Sequence, residues 1–273
     1  MRCLIIGCGS IGTRRAKILA SMGHEVFASD PDLGQQQRLI ASLPDRLRNP
    51  DLGQPEAVLI CTPPDSGRPE QIERCLGMGV RGLFVEKPLA LSLSDVDEIR
   101  YIFERLYKNG EDITTMGACN LRFVGGVSGL RKIKKPWRLA AFRMGQHKKH
   151  WSATHRPISM ILDSIHELDL AVHLNGPIQS IRGYSETDSA EVSVHHVGGG
   201  LSHLYLDRWT DPPVRSVTVT RGGDRDFLRL QTNDSMYERE MRHFMECVEA
   251  GVQTCNPLRA AAEVCARALE VVE

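Results

Sequence analysis

The chain has 273 residues, enough for one large domain or two modest ones, each with its own core. Basic and acidic side chains number 34 each and 41% of the residues are hydrophobic, the composition of an ordinary globular protein. The densest basic stretches, residues 131–135 and 147–150, are short, so we expect no nucleic-acid partner.

The chain lacks the signals of membrane insertion or export. No apolar stretch approaches the length of about 20 residues that spans a bilayer, and no charged leader precedes the first strand-like segment. The eight cysteines are scattered, mostly in apolar segments, and form no Cys-x-x-Cys pair, which indicates reduced core thiols. We therefore expect a cytoplasmic protein without membrane association.

The first 118 residues alternate short apolar runs with amphipathic stretches, the pattern of βαβ units around a parallel sheet. The first helix is predicted to end at Gly23, and Ser94 is predicted to cap a later helix that begins near Val96. Strands are predicted at residues 3–6, 25–29, 57–61, 82–85 and 113–118. This order of elements predicts an α/β domain.

Longer β-like segments replace this pattern after about residue 120. Only one helical stretch, near residues 163–174, interrupts them before the closing helices. This succession predicts an α+β domain. Its strands are predicted at residues 139–144, 191–197, 201–206 and 215–220.

A glycine-rich turn, Gly7-Cys8-Gly9-Ser10-Ile11-Gly12, joins the first strand to the first helix. Glycines in this pattern permit a tight turn and let the backbone approach a pyrophosphate at the helix N-terminus. The alternative is a glycine-rich turn without a ligand. The position of the turn between a strand and a helix favours dinucleotide binding, so Gly7, Gly9, Ser10, Ile11 and Gly12 are candidate cofactor residues.

Asp30 ends the second predicted strand, where a carboxylate can accept hydrogen bonds from both hydroxyls of an adenosine ribose. The same carboxylate repels a 2′-phosphate, and no arginine directly follows it, so NAD is the favoured cofactor. Arg14 and Arg15 keep NADP open, although arginines one turn into a helix are more often surface charges.

Lys87 belongs to Glu86-Lys87-Pro88, directly after the predicted strand 82–85 and at the edge where open α/β sheets bind ligands. Near a cationic nicotinamide a lysine gives up its proton more readily, and it can then exchange a proton with a substrate hydroxyl during hydride transfer. The alternative is a solvated surface lysine, the commoner fate of a single lysine.

These motifs, together with Thr62-Pro63-Pro64 and the stretch Leu162-Asp163-Ser164-Ile165-His166-Glu167, resemble the glucose–fructose oxidoreductase/inositol dehydrogenase (Gfo/Idh/MocA) family over nearly the whole chain. The resemblance implies an N-terminal Rossmann dinucleotide-binding domain over residues 1–118. It also implies a C-terminal α+β domain over residues 119–273, with a mostly antiparallel open-faced sheet that serves substrate binding and oligomerisation.

The resemblance makes Lys87 the proton-shuttling lysine and gives the helix with Asp163 and His166 the remaining polar groups around the substrate. Residues three apart share a helix face, so His166 can act as acid or base while Asp163 holds a hydroxyl. This spacing and the Gly-Ser-Ile-Gly-x-Arg opening look most like family members that accompany the biosynthesis of surface sugars.

The resemblance also assigns secondary contacts. It places Asn120 and Arg122 at the substrate, and Thr62, Pro63 and Glu86 at the cofactor. The sequence departs from the family pattern in two places. Asp65-Ser66-Gly67-Arg68 stands where relatives often have a histidine, and Ile158-Ser159-Met160 replaces the usual glycine-rich turn.

The histidines His147, His150, His155 and His166 match none of the specific zinc templates, so we expect no metal. Trp151, in the same stretch, is a candidate for stacking on a sugar, with a core position as the alternative.

The leading hypothesis is hydride transfer between NAD(P) and a secondary alcohol of a sugar, sugar acid or nucleotide-activated sugar, with Lys87 and His166 as acid–base groups. The alternatives are a redox-neutral glycosidase that uses bound NAD and a non-catalytic, cofactor-binding regulatory protein of the same fold. An open sheet in the second domain predicts a homodimer or homotetramer formed through that face.

Overall fold

The chain folds into two compact units. Unit 1 comprises Met1–Ala118 and Tyr237–Ala262, and unit 2 comprises Cys119–Met236 and Glu263–Glu273. Residues 237–262, which were predicted to belong to the second domain (residues 119–273), thus lie in unit 1. The separate roles of the two domains stay a prediction. The computed structural model describes residues 1–44, 53–65, 67–108, 110, 112–131, 139–145, 158–221 and 224–272.

Unit 1 contains a five-stranded sheet in the order β2-β1-β3-β4-β5, and every pairing in it is parallel. The predicted α/β fold is therefore confirmed. The strands are short and most of their side chains are buried, as is usual for parallel sheets. They are β1 (Arg2–Ile6), β2 (Glu25–Ser29), β3 (Ala57–Ile60), β4 (Gly82–Val85) and β5 (Thr114–Gly117).

Side chains cap two of the helices that connect these strands. Asp32 accepts hydrogen bonds from the backbone N–H groups of Gly34 and Gln35 at the start of the second helix. The predicted cap Ser94 is wrong, because Ser92 Oγ accepts the hydrogen bond from the N–H of Asp95. The helices are α1 (Ser10–Ser21), α2 (Leu33–Ala41), α3 (Arg68–Leu76) and α4 (Leu93–Lys108).

A later helix, α8 (Asp234–Ala250), packs against the sheet of unit 1. The rings of Phe84 on β4 and Phe244 on α8 meet edge to face with centroids 5.6 Å apart. The segment after α8 covers the outer edge of β5, because Gln253 Oε1 accepts the N–H of Thr115 and the backbone of Asn256 pairs with β5. These contacts satisfy backbone donors of β5 that another strand would otherwise pair with.

Unit 2 contains a six-stranded sheet in the order β11-β10-β6-β9-β8-β7. The β6–β9 pair is parallel and the other pairs are antiparallel, so the sheet is mixed but mostly antiparallel, as predicted. The strands are β6 (Leu139–Gly145), β7 (Ile178–Ser185), β8 (Ser189–His196), β9 (Leu201–Asp207), β10 (Val214–Arg221) and β11 (Asp224–Arg229).

The helical part of unit 2 differs from the prediction at one point. The predicted helix 163–174 is interrupted at Ser164, which separates α6 (Met160–Asp163) from α7 (Ile165–Asn175). Asp163 and His166 therefore do not share one continuous helix. The remaining elements are a 3-10 helix (Asn120–Phe123), α5 (Val127–Arg131) and α9 (Leu258–Leu269), which the two units divide at Ala262.

The described residues lack two features. They contain no helix that is long and apolar enough to cross a membrane. They also contain no group of three or more His, Cys, Asp or Glu side chains that could hold a metal ion.

Candidate cofactor and catalytic site

The glycine-rich turn between β1 and α1 is as tight as its sequence predicts. Gly7 has φ +96, and a Cβ there would lie 2.8 Å from the backbone nitrogen of Thr62. A Cβ on Gly12 would lie 1.9 Å from the carbonyl oxygen of Gly7. A Cβ on Gly9 would meet no described atom within 4 Å. Gly7 and Gly12 are thus required by the protein's own packing, whereas Gly9 leaves an open approach to the turn.

The open approach at Gly9 leads to the N-terminus of α1. Gly9 is the N-cap residue, and within the described residues no side chain caps the helix there. The first N–H groups of a helix have no partners within the helix and favour an anion. Ser10 is exposed and Ile11 partly exposed at this end. The turn therefore fits the pyrophosphate of a dinucleotide.

Asp30, directly after β2, lies against the same turn. Its Oδ2 accepts the N–H of Cys8 at 2.6 Å, and its Oδ1 accepts the N–H of Asp32 at 2.8 Å. Each carboxylate oxygen has a further lone pair, so the group can still accept ribose hydroxyls. The predicted pairing of the glycine turn with an acidic residue is present in the structure.

Arg15 does not point to solvent as the sequence suggested. Its side chain is fully buried, with Nη2 2.7 Å from Glu86 Oε1 and Nη1 2.6 Å from Glu240 Oε2. Burial lowers the pKa of Arg15, but the carboxylates of Glu240 and Glu86 outweigh that effect and raise it overall. Both terminal nitrogens of the Arg15 guanidinium therefore form ion pairs inside the protein. Arg14, the other candidate for a 2′-phosphate, lies over the ring of Tyr237.

Arg68 is a second buried arginine that sequence reasoning did not place. It begins α3, and its Nη2 donates to the carbonyl oxygen of Thr62 at 2.8 Å while its Nη1 donates to that of Glu86 at 3.4 Å. Arg68 thus joins the loops after β3 and β4. Thr62 Oγ1 donates to Gln71 Oε1, and Pro63 is exposed. One feature of the sequence had pointed to Arg68: the stretch Asp65-Ser66-Gly67-Arg68 stands where members of the family often have a histidine.

Lys87 follows β4 and is partly exposed, and its bond to Pro88 is cis. The carboxylate of Glu86 next to it is engaged on both oxygens: Arg15 Nε donates to Oε1 at 2.9 Å, and the N–H of Lys87 donates to Oε2 at 3.3 Å. Both carboxylate oxygens of Glu86 therefore bond to groups of the protein, whereas the sequence assigned Glu86 to cofactor binding.

The strand order brings the unit 1 candidates to one edge. Because parallel strands end on the same side, the sheet places Asp30, the glycine turn, Thr62 and Lys87 in that sequence along the carboxyl ends of β2, β1, β3 and β4. This is the edge where open α/β sheets bind nucleotides. The arrangement can hold a dinucleotide beside a lysine amine.

The candidates in unit 2 surround α7. His166 lies on this helix and is buried, as is Asn120 on the 3-10 helix. Arg208 Nη2 lies 3.4 Å from Asp163 Oδ2. Trp151, His147, His150 and His155 lie outside the described residues.

Arg122 pairs with a buried acid of α7. Its Nε and Nη2 donate to the two carboxylate oxygens of Asp169 at 2.7 and 2.5 Å. Both side chains are almost fully buried. The predicted role of Arg122 at the substrate therefore competes with a bidentate ion pair inside the unit.

Residues 1–110 match the family model described as "Oxidoreductase family, NAD-binding Rossmann fold", that of Gfo/Idh/MocA. The description agrees with NAD as the predicted cofactor. No curated protein matches the chain.

Solved structures share the fold of the whole chain. UDP-N-acetylglucosamine 3-dehydrogenase GnnA from Acidithiobacillus ferrooxidans is 22% identical, with a TM-score of 0.82 over 99% of this chain and 96% of that one. A myo-inositol dehydrogenase from Corynebacterium glutamicum is 17% identical, with a TM-score of 0.79 over 100% and 96%. A putative myo-inositol dehydrogenase from Sinorhizobium meliloti is 18% identical, with a TM-score of 0.78 over 98% and 95%. At these identities the likeness establishes the fold.

Proposed function

Because residues 1–110 match the family model of Gfo/Idh/MocA, NAD-binding oxidoreductases, we propose that the protein transfers a hydride between NAD and a secondary alcohol of a sugar, sugar acid or nucleotide-activated sugar. The observation that carries the proposal is the arrangement along the carboxyl edge of the unit 1 sheet. There the open glycine turn, the Asp30 carboxylate and Lys87 follow one another on neighbouring strands.

The residues of unit 1 divide the work of cofactor binding and proton transfer. The backbone at Gly9 and the N-terminus of α1 hold the pyrophosphate, and Asp30 accepts the ribose hydroxyls. Bound NAD supplies the hydride acceptor. Lys87 Nζ, as the neutral amine, takes the proton of the substrate hydroxyl as the alcohol carbon loses its hydride, and it returns that proton in the reverse direction. Thr62 and Pro63 border the cofactor.

For unit 2 we propose substrate contacts. His166 acts as a second acid–base group, and Asp163 and Asn120 bind hydroxyls of the substrate. Arg122 contributes less than the sequence indicated, because Asp169 already engages its Nε and Nη2 donors. Trp151 keeps its predicted role as a stacking surface.

The names of the structural neighbours define the substrates to test. One of them is a dehydrogenase of UDP-N-acetylglucosamine, and others are named as myo-inositol dehydrogenases. The opening motif resembles members that accompany surface-sugar biosynthesis. We therefore propose UDP-activated amino sugars, free cyclitols and sugar acids, in that order, as the substrates to try.

The test is reduction of NAD by the purified protein with this panel, followed by absorbance of the reduced nicotinamide. Lys87→Ala is the test variant, and Lys108→Ala, which removes an exposed lysine at the end of α4, is its matched control. We expect turnover in the parent and in Lys108→Ala and its loss in Lys87→Ala. Tight NAD binding without turnover would contradict the proposal and favour the regulatory protein. Glycoside cleavage without accumulation of reduced cofactor would instead indicate the redox-neutral glycosidase.

We further propose that the chain forms a homodimer or homotetramer through the sheet of unit 2. This sheet exposes Tyr184 on β7, Tyr205 on β9 and Phe227 on β11, large side chains that a partner subunit would cover. Light scattering with size-exclusion chromatography tests the assembly, and Tyr205→Glu should weaken it. A monomer at micromolar concentration would contradict it.

The proposed location is the cytoplasm. None of the eight cysteines, all within the described residues, forms a disulfide, which suits a reducing compartment. Cell fractionation with detection of the tagged protein tests this location, and recovery from an exported fraction would refute it.

A further inference from the structure

Glu86 is held by the protein at three points. Its Oε1 accepts from Arg15, its Oε2 accepts from the backbone N–H of Lys87, and its carbonyl oxygen accepts from Arg68. The carbonyl oxygen and the N–H of Lys87 flank the bond that joins residues 86 and 87. The contacts therefore fix the direction in which the chain enters Lys87.

The two arginines that hold Glu86 are themselves held firmly. Arg15 is 0% exposed and lies over the ring of Phe84, 4.7 Å from its centroid, with Glu240 as a second counter-ion. Arg68 is 1% exposed and also bonds the carbonyl oxygen of Thr62. Neither guanidinium can swing away without breaking contacts in the core.

A buried charge network of this kind is weak evidence for stability, since desolvation of the ions offsets much of their attraction. A role in geometry is the better explanation of its position directly beside Lys87. Proton transfer depends steeply on placement, and a misplacement of about 1 Å can lower a rate about 100-fold.

We infer that Arg15 and Arg68 are positioning residues that set the orientation of Lys87 through Glu86. This inference rests on the proposed function of Lys87 in proton transfer. It adds to that function two residues from other elements, one on α1 and one at the start of α3, neither of which follows from the sequence motif around Lys87.

The network provides its own matched control. Glu86→Gln and Glu240→Gln each remove one of the two carboxylates that face Arg15, so both should lower thermal stability to a similar degree. Glu86 also accepts the backbone N–H of Lys87. If the network positions Lys87, Glu86→Gln should lower kcat about 10- to 100-fold with a smaller change in KM and in NAD affinity. Glu240→Gln should lower kcat clearly less, because it leaves the bonds of Glu86 to Arg15 and to the N–H of Lys87 in place.

Arg68 is tested in the same way. Arg68→Met should lower kcat like Glu86→Gln, and Arg68→Lys, which keeps a cationic donor, should recover part of the loss. Arg100→Met, which breaks a surface pair with Asp97, serves as the arginine control. Arg68→Lys also serves as the informative variant if Arg68→Met does not fold.

A second readout does not depend on turnover. Acylation of lysine amines, followed by mass spectrometry, measures the reactivity of Lys87 relative to exposed Lys108 in each variant. We expect Glu86→Gln and Arg68→Met to change the labelling rate of Lys87 without changing that of Lys108.

The outcomes separate the two proposals. Equal kcat losses in Glu86→Gln and Glu240→Gln, or unchanged labelling of Lys87 in both Glu86→Gln and Arg68→Met, would overturn the positioning role and leave the network purely structural. If no substrate is turned over by the parent, the proposed function fails, and the labelling rates still decide whether the arginines position Lys87.

Discussion

Alanine at Gly12 and alanine at Gly9 should have opposite effects on stability and on cofactor binding. At Gly12 the new Cβ would lie 1.9 Å from the carbonyl oxygen of Gly7, so backbone must move by more than about 1 Å. Overpacking costs about 1–3 kcal/mol, and a clash with rigid backbone puts Gly12→Ala at the upper end, about 3 kcal/mol, against a gain of about 1 kcal/mol from alanine in a helix. We expect a net loss of about 2 kcal/mol in the free energy of unfolding.

At Gly9 the same methyl group enters open space, and the backbone φ of −64 suits alanine. The free energy of unfolding should therefore change by at most about 1 kcal/mol. The methyl group would occupy the path of the pyrophosphate, so the Kd for NAD should rise at least about tenfold, equivalent to about 1.4 kcal/mol.

Urea unfolding followed by circular dichroism measures the first effect, and calorimetric titration with NAD measures the second. Gly129→Ala on α5, whose Cβ also meets no described atom within 4 Å, is the control for both. A stable Gly12→Ala variant would show that the turn is looser than the structure has it. Parent-like NAD binding by Gly9→Ala would place the pyrophosphate elsewhere.

Three further predictions concern thiols, a buried ion pair and a helix cap. Iodoacetamide at neutral pH should label exposed Cys255 and spare Cys8, because burial raises the pKa of the Cys8 thiol to about 11. Peptide mass spectrometry measures the labelling of each cysteine, and rapid labelling of Cys8 would contradict the prediction. Arg122→Met should lower the free energy of unfolding, measured in urea, by about 3–5 kcal/mol because it removes the bidentate counter-ion of the buried Asp169 carboxylate. Adding Asp169→Leu should recover most of the loss. Hydrogen bonds from the first turn of α2 lower the pKa of Asp32 below its ordinary 3.8. The Asp32 carboxylate therefore stabilises the folded protein fully above pH 3.8, and this stabilisation is lost as the pH falls through the lower pKa of the folded state. Asp32→Ala should therefore lower the melting temperature at neutral pH and have a smaller effect well below pH 3.8, whereas equal effects at both would refute the assignment.

The sequence predicted the strands that bury their side chains and missed those that do not. Continuous apolar runs indicated β1, β3 and β4, because parallel strands are covered on both faces. The edge strand β11 was not predicted, since almost all of its side chains are exposed and charged residues dominate it. Such a strand forms through its pairing with β10, which hydrophobic periodicity cannot reveal.

Local motifs of the site were recognisable, and long-range partners were not. The solved structures confirm the predicted fold, and the match of residues 1–110 to an NAD-binding family model agrees with the family resemblance and with NAD as cofactor. The motifs behind these predictions were readable because the glycine turn and Asp30 follow consecutive elements. The environment of Arg15 depends on Glu86, 71 residues away, and on a helix near the end of the sequence, so nothing next to Arg15 indicates burial. The helix break at Ser164 was missed because the apolar pattern runs through it.

The assignment of α8 to unit 1 has a consequence for how the protein is made. The sheet is complete in sequence at β5, yet Phe244 packs on Phe84 and Gln253 covers the edge of β5, and both residues follow Tyr237. A ribosome must therefore synthesise all of unit 2's sheet before the nucleotide-binding core can close. During that interval the emerging N-terminal half carries exposed apolar surface, the situation in which nascent chains most need chaperones.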